Sequence, residues 1–308
     1  MHRPMPGTKR GLLRALAPRA EAVEIVLGQD VERIRCAHGL AAADDAQRAV
    51  IEALCDLLTR PAKRVRSALM CAVAEAYGRT WDEAVGQLCV ALEWMQVYLL
   101  VHDDWMDNDD TRRGGPSVPA VMRLAFPRHA DAAAVLAGDL AKAFSEDALA
   151  RAVAAGAPWR AFTVFAHMHS DVVLGQLSDV LERGESLAQI ERRYAQKTAS
   201  YTTVGPMRLG ALFASSNIAP TEVDRSALAL GIAFQIRDDI NGRDRDNRED
   251  KNTWLRVCAR PGAEALQAAE QRTLELVQEA KIAMPAALCR GPGSEVIFAL
   301  CTYLTGGV

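Results

Sequence analysis

The chain has 308 residues, of which 50% are hydrophobic and 24% are charged, and its formal net charge is −3 at pH 7. This composition is typical of a folded globular protein and excludes global disorder. The chain has 36 Lys and Arg and 39 Asp and Glu, so it carries no overall positive charge that would attract a polyanion. We therefore expect no nucleic-acid partner.

The cysteines and the start of the chain indicate a cytoplasmic protein. Seven cysteines are scattered along the sequence without any C-x-x-C pair, a pattern that predicts neither a disulfide framework nor a zinc site. The basic start is not followed by an apolar stretch, and no uncharged run reaches about 18 residues. We therefore expect neither a secretion signal nor a membrane span.

The predicted elements are helices throughout. Residues 1–18 carry several prolines and are expected to form a flexible leader. From Glu21 to Leu58 apolar residues return every three or four positions, and strand-like alternation is rare along the whole chain. The sequence therefore predicts an all-α fold, in which residues 19–308 form one large helical bundle with a central cavity.

Glycine, proline and polar residues are expected to divide this bundle into successive helices. The expected breaks are Arg60-Pro61, Gly78, residues 113–116, Pro127, residues 156–158, Gly184, Gly205-Pro206, residues 217–220, residues 241–252, Pro261-Gly262 and residues 291–293.

An acidic segment follows the apolar helix that ends near Val101. Five carboxylates lie between Asp103 and Asp110. At about 100° per residue, Asp103 and Asp107 share one helix face with Gln96 and Leu99. Two carboxylates about 6 Å apart repel by roughly 3 kcal/mol at an effective dielectric of 20, and a divalent cation would reverse that cost. The alternative is a solvated acidic helix end.

A second carboxylate pair, Asp238-Asp239, follows another apolar helix, Leu228 to Ile236. Two such helices that face each other across a bundle would hold Mg²⁺ ions between them, with a diphosphate as the remaining ligand. The two acidic pairs together are a more specific signal than either pair alone.

With these two acidic pairs, the chain resembles the trans-isoprenyl diphosphate synthase family, the farnesyl and geranylgeranyl diphosphate synthases. The matching segments occur in the family's order along most of the chain; they are Lys63-Arg64-Val65-Arg66, Asp103 to Asp107 with Thr111-Arg112-Arg113-Gly114, Leu136-Ala137-Gly138-Asp139, Gly175-Gln176-Leu177-Ser178-Asp179, Lys197-Thr198 and Phe234 to Asp239. The resemblance implies one all-α bundle of the isoprenoid synthase type around a prenyl pocket, usually in a homodimer.

The resemblance also implies the chemistry of the site. Three Mg²⁺ ions would bind an allylic diphosphate, with Asp103, Asp107 and Asp238 as ligands and with Asp104, Asp179 and Asp239 in supporting places. Cations would hold the leaving diphosphate. The residues in those positions are Arg112 and Lys197, with Thr198 and Gln235 as neutral hydrogen-bonding neighbours and Lys251 from a later lysine segment.

The second substrate of such enzymes, isopentenyl diphosphate, is held by a separate basic set. Here Lys63, Arg66, Gln96 and Arg113 occupy the matching positions, although a pair such as Lys63 and Arg66 is also common on a solvated surface. Bulk at Tyr98 and Leu99 would form the floor of the pocket and favour a C15 to C20 product, and ordinary core packing explains these two residues equally well. We interpret His102 as a packing residue.

The match weakens after Asp239. Gly242 replaces the third acid of the second motif, and the following loop is short and lacks one lysine of the family pattern. We expect residues 242–247 to form a solvated loop, in which Asp244 and Asp246, or Arg243, Arg245 and Arg248, are the alternatives that would compensate.

Three functions follow from this pattern. The leading one is a Mg²⁺-dependent prenyltransferase that condenses an allylic diphosphate with isopentenyl diphosphate through an allylic carbocation. The second is a terpene synthase on the same scaffold, which ionises farnesyl or geranylgeranyl diphosphate without isopentenyl diphosphate. The third is a catalytically silent subunit, and the intact first motif argues against it.

Overall fold

A computed structural model describes residues 9–37, 44–181, 186–213, 219–248, 252–258 and 260–306. Helices make up most of these residues, and their sheet is a single two-stranded hairpin, so the prediction of an all-α fold is confirmed. The contacts divide the chain into two compact units. Unit 1 takes its described residues from the ranges Met1–Ala17, Ala68–Thr80 and Pro158–Val308, and unit 2 from Pro18–Ser67 and Trp81–Ala157.

Unit 2 carries the first acidic segment. Its elements are α1 (Lys9–Ala37) from Pro18 onward, α2 (Asp45–Thr59), the start of α3 (Val65–Ala76), α4 (Glu83–Met106), β1 (Thr111–Arg112), β2 (Gly115–Pro116), α5 (Val118–Ala125) and α6 (Ala130–Ala154).

Helix α4 is the core of unit 2. The Asp82 carboxylate accepts a hydrogen bond from the N–H of Val85 at 3.0 Å and so caps the start of the helix. Among the described residues, α4 is the one helix that by length and composition could cross a membrane, but 83% of its apolar window is buried inside the protein. It packs along α6, where the Trp94 and Phe144 rings meet edge to face at 4.9 Å. Burial in the core explains the apolar character of α4.

Unit 1 carries the second acidic pair. Its elements are the remainder of α1 and α3, α7 (Ala161–Leu181), α8 (Leu187–Tyr194), a π-helix (Ala195–Val204), α9 (Gly205–Ala211), a 3₁₀ turn (Pro220–Val223), α10 (Asp224–Arg248), α11 (Trp254–Val257), α12 (Gly262–Ala283), α13 (Ala286–Arg290) and α14 (Ser294–Leu304).

The predicted flexible leader was too long. Helix α1 begins at Lys9, and residues 1–8 lie outside the described part of the chain. Leu12 and Leu16 lie one helical turn apart and are 2% and 1% exposed, so their burial favours the helix. Pro18 lies inside α1, where it removes one backbone N–H donor without ending the helix.

In the described part of the chain, one expected break is absent and another begins later than expected. The chain passes from the π-helix directly into α9 at Gly205, and Pro206, the second residue of α9, does not interrupt it. The solvated loop predicted over residues 242–247 is wrong, because α10 continues to Arg248. That segment contains no proline, and one of its side chains, Asp246, is only 6% exposed. Arg243 and Asp244 are exposed.

Candidate functional site

The first acidic segment begins in the last turn of α4, where neighbouring carboxylates have different surroundings. Asp103 is half-buried, Asp107 is exposed, and Asp104 between them is fully buried. The N–H of Asp107 donates to the carbonyl of Asp103 at 2.8 Å, so the two lie one turn apart. Two carboxylates of the predicted metal set thus share one face, and Asp104 points inward.

Asp104 binds Arg112. The Nε of Arg112 donates to Asp104 Oδ1 at 2.6 Å and its Nη2 also contacts that oxygen, while Nη2 donates to Asp109 at 2.9 Å. Burial raises the pKa of the Asp104 carboxyl to about 6, although the Arg112 charge opposes that shift. Arg112, predicted to bind the leaving diphosphate, therefore lies against the acidic segment and is 26% exposed.

Arg112 and Arg113 belong to the hairpin that follows the acids. β1 and β2 pair Arg112 with Gly115, and the two turn residues between them have positive φ, 51° at Arg113 and 78° at Gly114. Positive φ at both turn positions is typical of a tight two-residue hairpin. The Arg112 side chain reaches the acids, whereas Nη1 of Arg113 donates to the carbonyl of Leu57 at 3.1 Å. Two adjacent cations therefore lie in two different environments.

Both acidic and basic side chains act on Arg113. Burial is the main cause that lowers the pKa of Arg113 to about 10; Glu93 opposes the shift, and the charges of Arg64 and Arg66 add to it. Among the other residues predicted for isopentenyl diphosphate, Lys63 is exposed and Gln96 is 8% exposed on α4. The structure thus brings Arg66 and Arg113 close enough for their charges to interact.

Arg64, for which the sequence predicted no role, is the most buried cation of its segment. Its side chain is fully buried, and it donates to Glu93 at 2.7 Å, to Glu24 at 2.6 Å and to the carbonyl of Leu58 at 2.6 Å. Ser67 donates to the second oxygen of Glu93 at 2.7 Å. The signal in the sequence was Glu93, a carboxylate within an otherwise apolar helix, which needs a buried partner.

The two carboxylates of the second acidic pair also differ in burial. Asp238 is exposed, but Asp239 is 3% exposed. Asp239 accepts hydrogen bonds from the Tyr194 hydroxyl at 2.5 Å, from Gln235 at 2.9 Å and from the N–H of Trp254 at 3.1 Å. Burial raises the pKa of Asp239 to about 6, and these three donors oppose the shift. Both Asp239 oxygens are therefore engaged by protein donors.

The remaining predicted residues of unit 1 also pair with one another. Lys197 forms an ion pair with Asp179, and Arg193 lies 3.3 Å from the same carboxylate. Thr198 donates to Gln235 at 2.8 Å. Lys251 lies outside the described residues.

The π-helix that carries Lys197 lies very close to α7. A Cβ built on Gly175 of α7 would lie 2.3 Å from the backbone nitrogen of Lys197. Only glycine permits so close an approach of α7 to the π-helix.

The residues predicted to set chain length lie in the last three turns of α4. Tyr98 is 6% exposed and Leu99 is half-buried. The Tyr98 ring meets His102 edge to face at 5.0 Å, and His102 Nε2 lies 3.2 Å from the carbonyl of Val135. A Cβ on Gly138 would lie 2.1 Å from that nitrogen, so the His102 ring fills the space above Gly138. This geometry agrees with the interpretation of His102 as a packing residue.

The donor chemistry of the first segment fits Mg²⁺. Mg²⁺ prefers oxygen ligands and is usually bound through one or two carboxylates together with substrate phosphates. Asp103 and Asp107 supply such a pair on one helix face, and the neighbouring carboxylate of Asp104 is committed to Arg112. In unit 1 the exposed Asp238 offers the same chemistry, whereas Asp239 is enclosed by donors.

Comparison with known proteins agrees with this pattern. A family model described as "Polyprenyl synthetase" matches residues 47–279. Farnesyl diphosphate synthase of Geobacillus stearothermophilus is 32% identical over 248 residues, which cover 73% of this chain and 73% of that protein. A chloroplastic geranylgeranyl pyrophosphate synthase of Capsicum annuum is 29% identical over 71% of this chain, and the match spans only 61% of the plant protein's length.

A solved structure shares the fold. Geranylgeranyl pyrophosphate synthase of Corynebacterium glutamicum, crystallised with isoprenyl diphosphate and magnesium, has a TM-score of 0.76 and 24% identity over 93% of this chain and 97% of its own. Fold and site together define a helical protein with two acidic pairs, one in the last turn of α4, with Arg112 against it, and one within α10. The chain belongs to the polyprenyl synthetase family.

Proposed function

We propose that the protein is a Mg²⁺-dependent short-chain prenyltransferase, which condenses an allylic diphosphate with isopentenyl diphosphate to give a C15 to C20 product. The observation that carries this proposal is the pair of adjacent arginines on the hairpin. Arg112 lies against the acidic segment, whereas the charges of Glu93, Arg64 and Arg66 act on Arg113. One hairpin thus supplies a cation to each of two diphosphate sites, which an enzyme with two diphosphate substrates requires.

In this mechanism the acids hold the metal and the cations hold the leaving group. Asp103, Asp107 and Asp238 would bind Mg²⁺, with Asp179 and Asp239 in supporting roles. When bound, Mg²⁺ withdraws negative charge from the diphosphate as it leaves. Arg112 and Lys197 neutralise the same charge through their N–H groups. Loss of either Arg112 or Lys197 would therefore slow ionisation of the allylic diphosphate more than it weakens substrate binding.

The allylic C–O bond breaks first, and its electron pair leaves with the diphosphate. The double bond of isopentenyl diphosphate then attacks the allylic cation to form the new C–C bond. The carbocation that this attack forms then loses a proton to the released diphosphate, which acts as the base, and the product results. Lys63, Arg66, Gln96 and Arg113 hold the second diphosphate in place, and Thr198, Gln235 and Lys251 assist with the first. This positioning of the two substrates supplies most of the rate enhancement.

Product length is assigned to Tyr98 and Leu99. In a helix they lie four to five residues before Asp103, about one turn or slightly more from the acids, and the Tyr98 ring is fixed against His102. We propose that they limit the growing tail to 15 to 20 carbons. Replacing Tyr98 with Ala tests this by chromatography of the products, which should shift to longer chains.

The second candidate is a terpene synthase, and the specific observation that favours it is Gly242 in place of the third acid of the second motif. The relatives described above are named as diphosphate synthases rather than terpene synthases. Incubation with farnesyl or geranylgeranyl diphosphate and Mg²⁺, without isopentenyl diphosphate, separates the two functions. A terpene synthase releases volatile hydrocarbons or alcohols that gas chromatography detects, whereas a prenyltransferase does not.

We further propose a cytoplasmic homodimer in which residues 19–308 work as one domain, without a nucleic-acid partner or a membrane span. The support for a reducing compartment is the sequence pattern, seven scattered cysteines without a C-x-x-C pair. Release of diphosphate by the purified protein alone would exclude the silent-subunit alternative. Light scattering of the same preparation measures the oligomeric state.

A further inference from the structure

Arg60, which sequence reasoning treated only as part of a helix break, binds the hairpin that carries Arg112 and Arg113. It is the C-cap residue of α2, and its side chain is 10% exposed. Its Nη1 donates to the carbonyl of Arg112 at 2.7 Å and to the carbonyl of Pro116 at 2.8 Å. Its Nε and Nη2 donate to Asp56 at 3.0 and 2.5 Å. One guanidinium therefore links α2 to both strands of the hairpin.

The contact is close because Gly115 has no side chain. A Cβ built on Gly115 would lie 2.6 Å from Cζ of Arg60 and 2.9 Å from each Nη atom. These are the three nearest atoms that such a Cβ would meet, and all belong to Arg60. The guanidinium thus lies directly against the backbone of β2.

The hairpin needs an external support to keep one conformation. Each strand has only two residues, and isolated two-stranded hairpins are marginally stable in water. Arg113 has φ of 51°, which is unfavourable for a residue with a side chain. The carbonyls that Arg60 binds belong to Arg112 and Pro116, on either side of this turn, so the contact fixes the backbone from which both arginine side chains extend.

We propose that Arg60 is a positioning residue for both diphosphate sites, because it fixes the peptide that directs Arg112 toward Asp104 and Arg113 toward Leu57. The proposal rests on the proposed function for the roles of Arg112 and Arg113. It differs from a purely structural role, in which Arg60 would cap α2 and affect stability alone.

The first test compares Arg60→Ala with Arg35→Ala in steady-state kinetics for each diphosphate. Arg35 is a matched control because it also pairs with α2, through Glu52 at 2.6 Å, and makes no hydrogen bond to the hairpin. Misplacement by about 1 Å costs on the order of 100-fold in rate, so we expect Arg60→Ala to lower kcat/KM about 10- to 100-fold and to raise KM for both substrates. We expect Arg35→Ala to change these constants less than about 2-fold, since exposed ion pairs contribute little.

The second test uses Gly115→Ala, which keeps Arg60 but displaces it. We expect Gly115→Ala to raise both KM values as Arg60→Ala does. A double variant combines Arg60→Ala with Gly115→Ala, and in it the guanidinium atoms that the new methyl group would meet are gone. Adding Gly115→Ala to Arg60→Ala should therefore change kcat/KM less than about 2-fold. A double variant in which the two losses multiply would contradict direct contact as the cause.

The outcomes separate this proposal from the proposed function. If the wild-type protein elongates and Arg60→Ala loses stability with unchanged KM values, Arg60 is a structural residue and the proposal is overturned. If the wild-type protein does not elongate, the proposed function fails. Amide hydrogen exchange over residues 109–118 then tests whether Arg60 holds the hairpin in place. Faster exchange there in Arg60→Ala than in Arg35→Ala supports positioning of the hairpin, and equal exchange overturns it.

Discussion

Replacing Tyr194 with Phe removes one hydroxyl from the hydrogen-bonded group that encloses Asp239. That hydroxyl donates to Asp239 at 2.5 Å and accepts from the N–H of Trp254 at 2.9 Å. A buried hydrogen bond to a charged group contributes about 1.5–3 kcal/mol. The Trp254 N–H keeps its bond to Asp239 at 3.1 Å, so the second loss is small. We expect the free energy of unfolding to fall by about 2 kcal/mol.

The assay is equilibrium unfolding in urea, followed by circular dichroism, with thermal unfolding beside it. At about 2.1 cal/mol/K per residue, the unfolding entropy of the 308-residue chain is about 0.65 kcal/mol/K, so a loss of about 2 kcal/mol lowers Tm by about 3 °C. Tyr303→Phe is the matched control, because the Tyr303 hydroxyl is also in unit 1 and accepts only a long hydrogen bond of 3.4 Å from Asn241. We expect that control to lose less than about 1 kcal/mol.

Tyr194→Phe should also raise the Mg²⁺ concentration needed for half-maximal activity, because it removes a hydrogen bond that holds Asp239, and Asp238 directly precedes Asp239 on α10. Equal stabilities of the Tyr194→Phe and Tyr303→Phe variants would refute the reasoning, since the short buried hydrogen bond would then contribute nothing that the long one does not.

Two further predictions concern packing and thiol chemistry. Gly138→Ala places a methyl group 2.1 Å from the His102 ring, and overpacking of this kind costs about 1–3 kcal/mol of unfolding free energy; urea unfolding should show that loss, and His102→Ala in the same chain should relieve it. At pH 8, an aromatic disulfide reagent should modify the exposed Cys36 well before Cys55 and Cys301, because burial raises the pKa of those two thiols to about 12 and about 11. Equal labelling rates of the three thiols in the folded protein would contradict the burial.

The sequence predicted those features that depend on local periodicity. Apolar spacing of three and four gave the helices, and the turn at Arg113-Gly114 separated the acidic segment from α5 as expected. Helix geometry also predicted that Asp103 and Asp107 share a face. It did not show that Asp104 is fully buried, because adjacent residues lie about 100° apart and either direction can face the core.

The features that the sequence did not predict depend on partners distant along the chain. The sequence predicted Arg60 only as part of a helix break and gave no role to Arg64, and only the fold brings them to the hairpin carbonyls and to Glu93. The extension of α10 beyond Asp239 was missed because Gly242 suggested a loop, although one glycine costs a helix only about 1 kcal/mol relative to alanine.

The most direct test of the central claim is product analysis of purified protein with Mg²⁺, labelled isopentenyl diphosphate and each allylic diphosphate in turn. The account predicts labelled C15 or C20 diphosphate from the wild-type protein. It further predicts no turnover in Asp103→Ala, and in Lys63→Ala a strongly reduced elongation with ionisation of the allylic substrate retained. A wild-type protein that forms no longer diphosphate, or a Lys63→Ala variant that elongates at the wild-type rate, would contradict it.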